Sequence, residues 1–233
     1  MNVIDIGIIL LFIMFIISGI KKGVIKESVS LIALILVFVL SFALKKIVGG
    51  IFCMIFPFLE LDGFVTINIL FYQLLAFVLV FMILIGIYGV SVRISKVLQK
   101  IVNMTIILIL PSKILGGVVS LLKGYIVVFI VFFVLMIPLG NTELFRESKC
   151  VNFMMNKTPL LSGYTKSFVN AVYDVIDLSE KVSQKSITVN DANLKTLDIM
   201  LKYKIVEKGT VEALIEVHKL DDVADIDSVV SKY

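Results

Sequence analysis

Residues 64–92 read FVTINILFYQLLAFVLVFMILIGIYGVSV, a run of 29 residues that contains no charged side chain. A helix needs roughly 20 predominantly apolar residues to cross about 30 Å of hydrocarbon. At about 1.5 Å per residue this run is longer than a straight crossing requires, so we expect it to tilt or to end in the membrane interface. The stretch therefore predicts a transmembrane helix.

Three further apolar runs occupy residues 3–20, 28–44 and about 118–139. The first run contains Asp5 and is followed, not preceded, by lysines. No small-residue cleavage site follows it, so a retained helix is favoured over a signal peptide. Together the four runs predict an all-α polytopic membrane protein with about four transmembrane helices.

Two other apolar stretches are too short to span a bilayer. Residues 47–59 contain two glycines and Pro57, which favours an interfacial or re-entrant segment. Residues 101–110 are also short, and Pro111 is expected to stop them. Apolar and basic residues separate onto two faces over residues 93–103, which predicts an amphipathic helix on the membrane surface. The alternatives are an extension of the third helix into water, or a fifth crossing that would reverse the predicted orientation.

The composition divides the 233-residue chain into two parts. Overall, 59% of the residues are hydrophobic and 17% are charged, compared with about 45–50% and about 25% in soluble domains. Residues 1–140 carry ten Lys/Arg and four Asp/Glu, whereas residues 141–233 carry 12 and 14. We predict a membrane domain at residues 1–140, a linker at 141–163 and a soluble α-helical tail at 164–233.

The composition also excludes several function classes. So apolar a chain is neither a soluble enzyme nor a disordered protein, and its basic residues form no single nucleic-acid-binding face. Two cysteines and one histidine are too few for a disulfide framework or a Cys/His zinc site. No phosphate loop, HExxH, GxSxG or paired catalytic carboxylate spacing occurs. We therefore expect no enzymatic activity, no cofactor, no metal and no nucleic-acid partner.

Basic residues are unequally distributed among the predicted loops. The first and third loops carry seven Lys/Arg between them, the second loop carries two, and the segment before the first helix carries none. Loops rich in Lys and Arg stay in the cytoplasm. The first and third loops are therefore predicted to be cytoplasmic, and both termini are predicted to lie outside the cytoplasm.

Three charged residues lie inside or beside the apolar runs. Asp5 is favoured as an interfacial anchor or as a charge at a helix N-terminus, with a specific polar contact to another helix as the alternative. Lys123 lies about five residues inside the fourth run, on the same predicted side as Glu27. Lys123 is predicted either to snorkel to the interface or to pair with Glu27, since an unpaired buried ammonium group is costly.

Small residues recur at the spacing of helix contacts. Gly19 and Gly23 are four residues apart, and a second row at the same spacing comprises Ser112, Gly116, Ser120 and Gly124. Such rows allow helix backbones to approach closely in lipid. They predict a tight helix bundle, with self-association as a further role for this face. For Cys53 and Cys150, two unpaired thiols are favoured over a disulfide.

Three stretches resemble the colicin V production protein family. They are Asp5 early in the first helix, residues 19–28 (GIKKGVIKES), and residues 113–124, where KILGG leads to LKG before a long apolar helix. The second stretch is similar to the family's G–x–x–[KR]–G–x–x–[KR]–E loop. The order and spacing of the three support the resemblance, which covers about residues 1–140.

The resemblance implies four helices in the bacterial inner membrane and a link to colicin V production or export and to envelope upkeep. Some relatives carry a fused extracytoplasmic serine protease, but this tail has one histidine and no nucleophile elbow. We expect a non-enzymatic protein that assists toxin or bacteriocin production and envelope homeostasis. The alternatives are a small-solute or ion transporter or channel subunit, and an anchor that presents the tail to a partner. The expected partners are the lipid bilayer, a second copy, or envelope and secretion proteins.

Overall fold

The computed structural model describes residues 3–59, 62–103, 109–140, 142–157 and 161–233. Within these residues all regular elements are helices and no strand occurs, which confirms the all-α prediction. In chain order the elements are α1 (Val3–Lys22), α2 (Val24–Ile55), α3 (Ile67–Asn103), α4 (Ile109–Leu139), α5 (Glu143–Arg146), α6 (Lys149–Lys157), α7 (Leu161–Ser183), α8 (Val189–Lys202), α9 (Lys208–Glu216) and α10 (Asp227–Val230).

Helices α1 to α4 are each long and apolar enough to cross a membrane, as the sequence predicts. The mean hydropathy of the four spans is 2.5 to 2.8, and a helix satisfies its own backbone hydrogen bonds where no water can do so. Large apolar side chains are exposed along these helices; on α1, Leu10 and Met14 are 59% and 66% exposed. Such side chains suit a surface that faces lipid.

Helix α2 is longer than the second apolar run. It continues to Ile55, so residues 47–55 extend α2 and do not form the separate re-entrant segment that the glycines suggested. A Cβ added to Gly49 would lie 2.7 Å from Cδ of Gln73, so glycine here permits close packing of the Gln73 side chain. The helix ends just before Pro57, because proline disfavours the helical conformation of the residue that precedes it.

The basic stretch after the third apolar run continues α3. The helix extends to Asn103, so this stretch lengthens the third helix, which was the alternative interpretation. It does not form a separate helix on the membrane surface. Pro111 lies in the first turn of α4 and does not terminate a preceding helix. In that turn the missing N–H of proline costs no helical hydrogen bond. Residues 104–108 of the predicted 101–110 stretch lie outside the described residues.

The region predicted as a linker, residues 141–163, contains α5, α6 and the beginning of α7. The tail beyond it consists of the remainder of α7 followed by α8, α9 and α10. Helix α8 begins after Thr188, whose Oγ1 accepts a hydrogen bond from the backbone N of Asp191 at 3.0 Å. A threonine side chain in this position satisfies one of the free N–H groups of the first helical turn.

The chain divides into two compact units, and α2, α3 and α4 each contribute to both. Unit 1 consists of Met1–Ser41, Val80–Leu135 and Thr142–Thr158. Unit 2 consists of Phe42–Leu79, Met136–Asn141 and Pro159–Tyr233. The division into a membrane domain, a linker and a tail remains a prediction. The two units are defined by which residues contact one another and not by which residues lie in lipid.

Aromatic side chains form much of the interior of unit 1. Phe38 of α2 packs edge-to-face against Phe129 and Phe133 of α4, with ring centroids 6.0 and 6.4 Å apart. Phe132 packs in the same way against Phe145 of α5 at 5.9 Å. Edge-to-face pairs are favourable beyond the apolar area that they bury. These contacts fix α2, α4 and α5 beside the polar residues described below.

In unit 2 the tail helices pack on the connection between α2 and α3. Oδ1 of Asn193 in α8 accepts hydrogen bonds from N and Oγ1 of Thr66, at 3.0 and 2.8 Å. Nζ of Lys219 donates to the carbonyl oxygens of Cys53 and Phe56 near the end of α2, both at 2.6 Å. A cation is favoured there by the free carbonyls at a helix C-terminus.

Candidate functional site

A single residue, Gly23, separates α1 from α2. Its φ of +80° lies in the left-handed region, which glycine adopts without strain. The backbone N of Gly23 donates to the carbonyl O of Gly19 at 2.9 Å, and N of Val24 lies 3.4 Å from Oγ of Ser112 in α4. The predicted first loop is therefore one residue long, and its lysines lie in the helices on either side.

Glu27, in the first turn of α2, lies between two ammonium groups. Its side chain is 1% exposed, and its Oε2 forms a hydrogen-bonded ion pair with Nζ of the buried Lys123. Nζ of Lys22, at the end of α1, is 3.5 Å from Oε1. The structure thus brings Glu27 and Lys123 together and does not place Lys123 in the snorkelling position. One carboxylate shared by two cations leaves the three groups with one excess positive charge.

The ion pair continues into a chain of hydroxyl groups. Oγ of Ser30 lies 3.5 Å from Nζ of Lys123 and is hydrogen-bonded to the hydroxyl of Tyr88 in α3. Sequence reasoning identified neither Ser30 nor Tyr88. Ser30 follows Glu27 by three residues on the same helix face, a spacing that could have indicated it. Tyr88 is 58 positions from Ser30, and no local pattern connects the two.

A cavity of about 330 Å³ adjoins this polar cluster. Apolar side chains from α1 to α4 line it, including Phe15, Leu34, Phe81 and Val127. Lys123 and Tyr88 are the polar residues of the lining. The arrangement is an apolar chamber with a polar end, which is typical of small-ligand sites in helix bundles.

The row of small residues on α4 packs against α1. A Cβ added to Gly116 would lie 2.6 Å from the carbonyl O of Gly19, and one added to Gly19 would collide with Cβ of Ser120. A Cβ on Gly124 would lie 2.6 Å from the ring of Phe15. Missing side chains therefore allow the two backbones to approach closely. The row is used for packing within unit 1, and Phe15 is a partner that the sequence did not indicate.

Asp5 is 1% exposed and contacts the beginning of α6. Its Oδ1 accepts hydrogen bonds from Oγ of Ser148 at 2.6 Å and from the backbone N of Cys150 at 3.2 Å. Ser148 in turn accepts one from the backbone N of Val151 at 3.2 Å. The contact corresponds to the alternative of a specific polar interaction, and it satisfies free N–H groups at a helix N-terminus. Sequence reasoning did not single out Ser148.

Lys45, placed by the sequence in the second loop, is buried within α2. Its side chain is 1% exposed, and its ammonium group lies 4.5 Å from the ring centroid of Phe42 and 3.9 Å from that of Phe168, all within unit 2. Aromatic faces attract cations, most strongly where water is excluded. The prediction of orientation counted Lys45 as a charge of the second loop, and the structure removes it from that count.

Both cysteines, Cys53 and Cys150, are free. Burial raises the pKa of the Cys150 thiol above its ordinary value, and the hydrogen bond to Asp5 and the negative charge of Asp5 raise it further. A thiol with a raised pKa is a poor nucleophile at neutral pH. In the described part of the chain, no group of three or more His, Cys, Asp or Glu residues is arranged to hold a metal ion.

The family model of the colicin V production protein matches residues 4–159, which is more than half of the chain. The chain belongs to the colicin V production protein family. No curated protein and no solved structure matches it.

The colicin V production match extends beyond residue 140, where the sequence resemblance ends, and takes in α5 and α6. All residues of the polar cluster, the small-residue row and the Asp5 contact fall within it. Helices α7 to α10 follow it. Family membership together with four spanning helices makes the chain a multi-pass membrane protein.

Proposed function

We propose that this chain is a non-enzymatic protein of the bacterial inner membrane that assists toxin or bacteriocin production or export and envelope homeostasis. The observation that carries the proposal is the colicin V production match over residues 4–159. The geometry of unit 1 agrees with a scaffolding role, because the buried ion pair and the small-residue row join α1, α2 and α4. The lipid bilayer, a second copy, and envelope or secretion proteins are the proposed partners.

The proposed orientation places the first and third loops in the cytoplasm and both termini outside. The unequal Lys/Arg distribution supports it. The hydrogen bond between Asp5 and Ser148 supports one part of it, an even number of crossings, because it joins the start of α1 to residues that follow α4; the choice of side rests on the charge distribution alone. An even number of crossings returns the chain to the side on which it began.

A transporter or channel subunit is the second candidate. The buried Glu27–Lys123 pair favours it, since ionisable residues within a membrane often mark pathways for ions or solutes. The hydroxyls of Ser30 and Tyr88 extend this polar chain across three helices. With four spanning helices, such a pathway would need more than one copy of the chain.

A simple anchor that presents its tail to a partner receives less support. Asn193 and Lys219 of the tail bond to the α2–α3 connection within unit 2, so the tail is packed against the membrane helices. Removal of residues 164–233 would abolish the function of an anchor and leave part of the activity of a transporter. In the proposed role it would weaken the protein by exposing the apolar surface that the tail covers.

The proposal can be tested in a colicin V-producing bacterium that lacks its own family member. The full chain should restore toxin output, measured by the killing zone on sensitive cells, and resistance to detergent. Glu27→Gln should reduce both together with the amount of protein in the membrane, if the ion pair serves the scaffold. Asp177→Asn, which removes an exposed pair with Lys181, is the matched control and should change neither.

Failure of the full chain to restore either property, at normal membrane levels, would refute the proposed function. Loss of activity in Glu27→Gln at an unchanged protein level would instead favour the transporter, because the scaffold would then be intact. Ion flux into proteoliposomes would be the direct measurement of that alternative.

A further inference from the structure

The cavity beside the polar cluster opens toward the surface of the helix bundle. Two of its lining residues, Ile85 and Val131, are 37% and 47% exposed. Both are apolar and belong to spanning segments of α3 and α4, where the surrounding medium is hydrocarbon. An entry of this kind admits an alkyl chain directly from the bilayer and is unfavourable for a water-soluble ion.

The other end of the cavity carries positive charge. Lys123 lines it, and the carboxylate of Glu27 is shared between Lys123 and Lys22. The side chain of Lys22 is 39% exposed and can turn toward a second anion. In the segment that supplies Lys22 and Glu27, residues 21–27, three lysines accompany the single carboxylate.

We propose that this cavity is a lipid site that holds one acyl chain of an anionic phospholipid, with the phosphate next to Lys22 and Lys123. The volume of about 330 Å³ lies within the range of about 300–1,000 Å³ for small-ligand sites, and its lining is apolar except at the charged end. A phosphate there neutralises the excess positive charge of the three groups. Lipid binding at this site is a property of the purified protein and holds whether or not the proposed function is correct.

The test uses the full chain in mixed micelles of phosphatidylglycerol and phosphatidylcholine, with bound lipid measured by native mass spectrometry. The wild-type protein should retain phosphatidylglycerol about fivefold better than phosphatidylcholine. This is the preference expected when one lysine near the membrane surface attracts an anionic headgroup. Ile85→Trp should plug the opening and reduce phosphatidylglycerol retention about fivefold. Ile83→Trp is the matched control, because Ile83 is 64% exposed on the same helix and does not line the cavity.

Two further measurements distinguish binding of the phosphate at the charged end from binding of the acyl chain in the cavity. Lys22→Gln should reduce the preference for phosphatidylglycerol to about one without lowering phosphatidylcholine retention; this partly exposed residue allows the test even if Ile85→Trp misfolds. Millimolar inorganic phosphate should not displace the bound lipid. Equal retention of the two lipids by the wild-type protein, equal effects of the two tryptophan variants, or displacement by phosphate alone would each overturn the proposal.

Discussion

The carboxylate of Asp5, in the first turn of α1, accepts a hydrogen bond from the hydroxyl of Ser148, and the two oxygens are 2.6 Å apart. The residues are 143 positions apart in the chain. The same carboxylate oxygen receives the backbone N–H of Cys150, so an anion lies at the N-terminus of α6, where the free N–H groups favour it. This contact attaches α6 to the first spanning helix.

Asp5→Asn should accelerate alkylation of the Cys150 thiol. The thiolate is the reactive form, and burial together with Asp5 raises the pKa of Cys150, so the wild-type rate at pH 8 should be low and should increase as the pH is raised. Removal of the negative charge lowers the pKa and increases the thiolate fraction at pH 8. The measurement is the rate of iodoacetamide labelling between pH 7 and 10 in a Cys53→Ser background.

Ser148→Ala is the control for that experiment, since it loosens the same contact and leaves the charge of Asp5 in place. If it accelerates labelling as much as Asp5→Asn does, with an unshifted pH profile in both, then exposure and not the charge of Asp5 governs the reactivity.

Glu27→Gln should destabilise the protein more than the double variant Glu27→Gln/Lys123→Gln. The single change leaves a buried ammonium group without its carboxylate, and breaking one side of a buried pair costs about 3–5 kcal/mol. Replacing both charges removes the unpaired cation and should recover part of the loss. The measurement is Tm in detergent, with the exposed Asp177–Lys181 pair as a control cycle that should show a coupling of at most about 1 kcal/mol. Additive losses would show that the two charges are energetically independent.

Gly124→Leu should lower the stability by about 1–3 kcal/mol, as overpacking does in tight cores. Even the first added carbon would lie 2.6 Å from the ring of Phe15, so either the ring must move or α1 and α4 must separate. Phe15→Ala in the same chain should restore part of the Tm. Gly86→Ala serves as the control, because among the described residues no atom beyond its chain neighbours and its own helix backbone lies within 4 Å of a Cβ at Gly86. A Gly124→Leu protein as stable as the wild type would mean that this glycine does not face α1 in the membrane.

Reporter fusions placed after Lys26 and after Lys100 should both report a cytoplasmic location. The reason is that the predicted first and third loops carry seven Lys/Arg, whereas the two lysines assigned to the second loop, Lys45 and Lys46, lie within α2. A cysteine introduced at the exposed Lys185, in a background without Cys53 and Cys150, should react with a membrane-impermeant maleimide in intact spheroplasts. Opposite locations for the two fusions would contradict four crossings.

The positions of the four spanning helices follow from the sequence alone, because a long apolar run must form a helix in hydrocarbon whatever surrounds it. The motif around Gly19, Gly23 and Glu27 likewise indicated the family from a short stretch of sequence. Local patterns were less informative at helix ends. Gly49 and Gly50 suggested a break that α2 does not have, because Gln73 packs closely over Gly49 and makes use of its missing side chain.

The partners of the polar and small residues were decided by the tertiary structure. A row of residues four apart defines a helix face, but the spacing does not say whether Gly124 meets another helix, a second copy or lipid; the structure places Phe15 there. Asp5 and Ser148, or Ser30 and Tyr88, are joined only when distant helices pack, and no pattern within one helix encodes that distance. Hydrophobicity is a property of one segment, whereas a hydrogen bond between two segments depends on how the helices that carry them pack against one another.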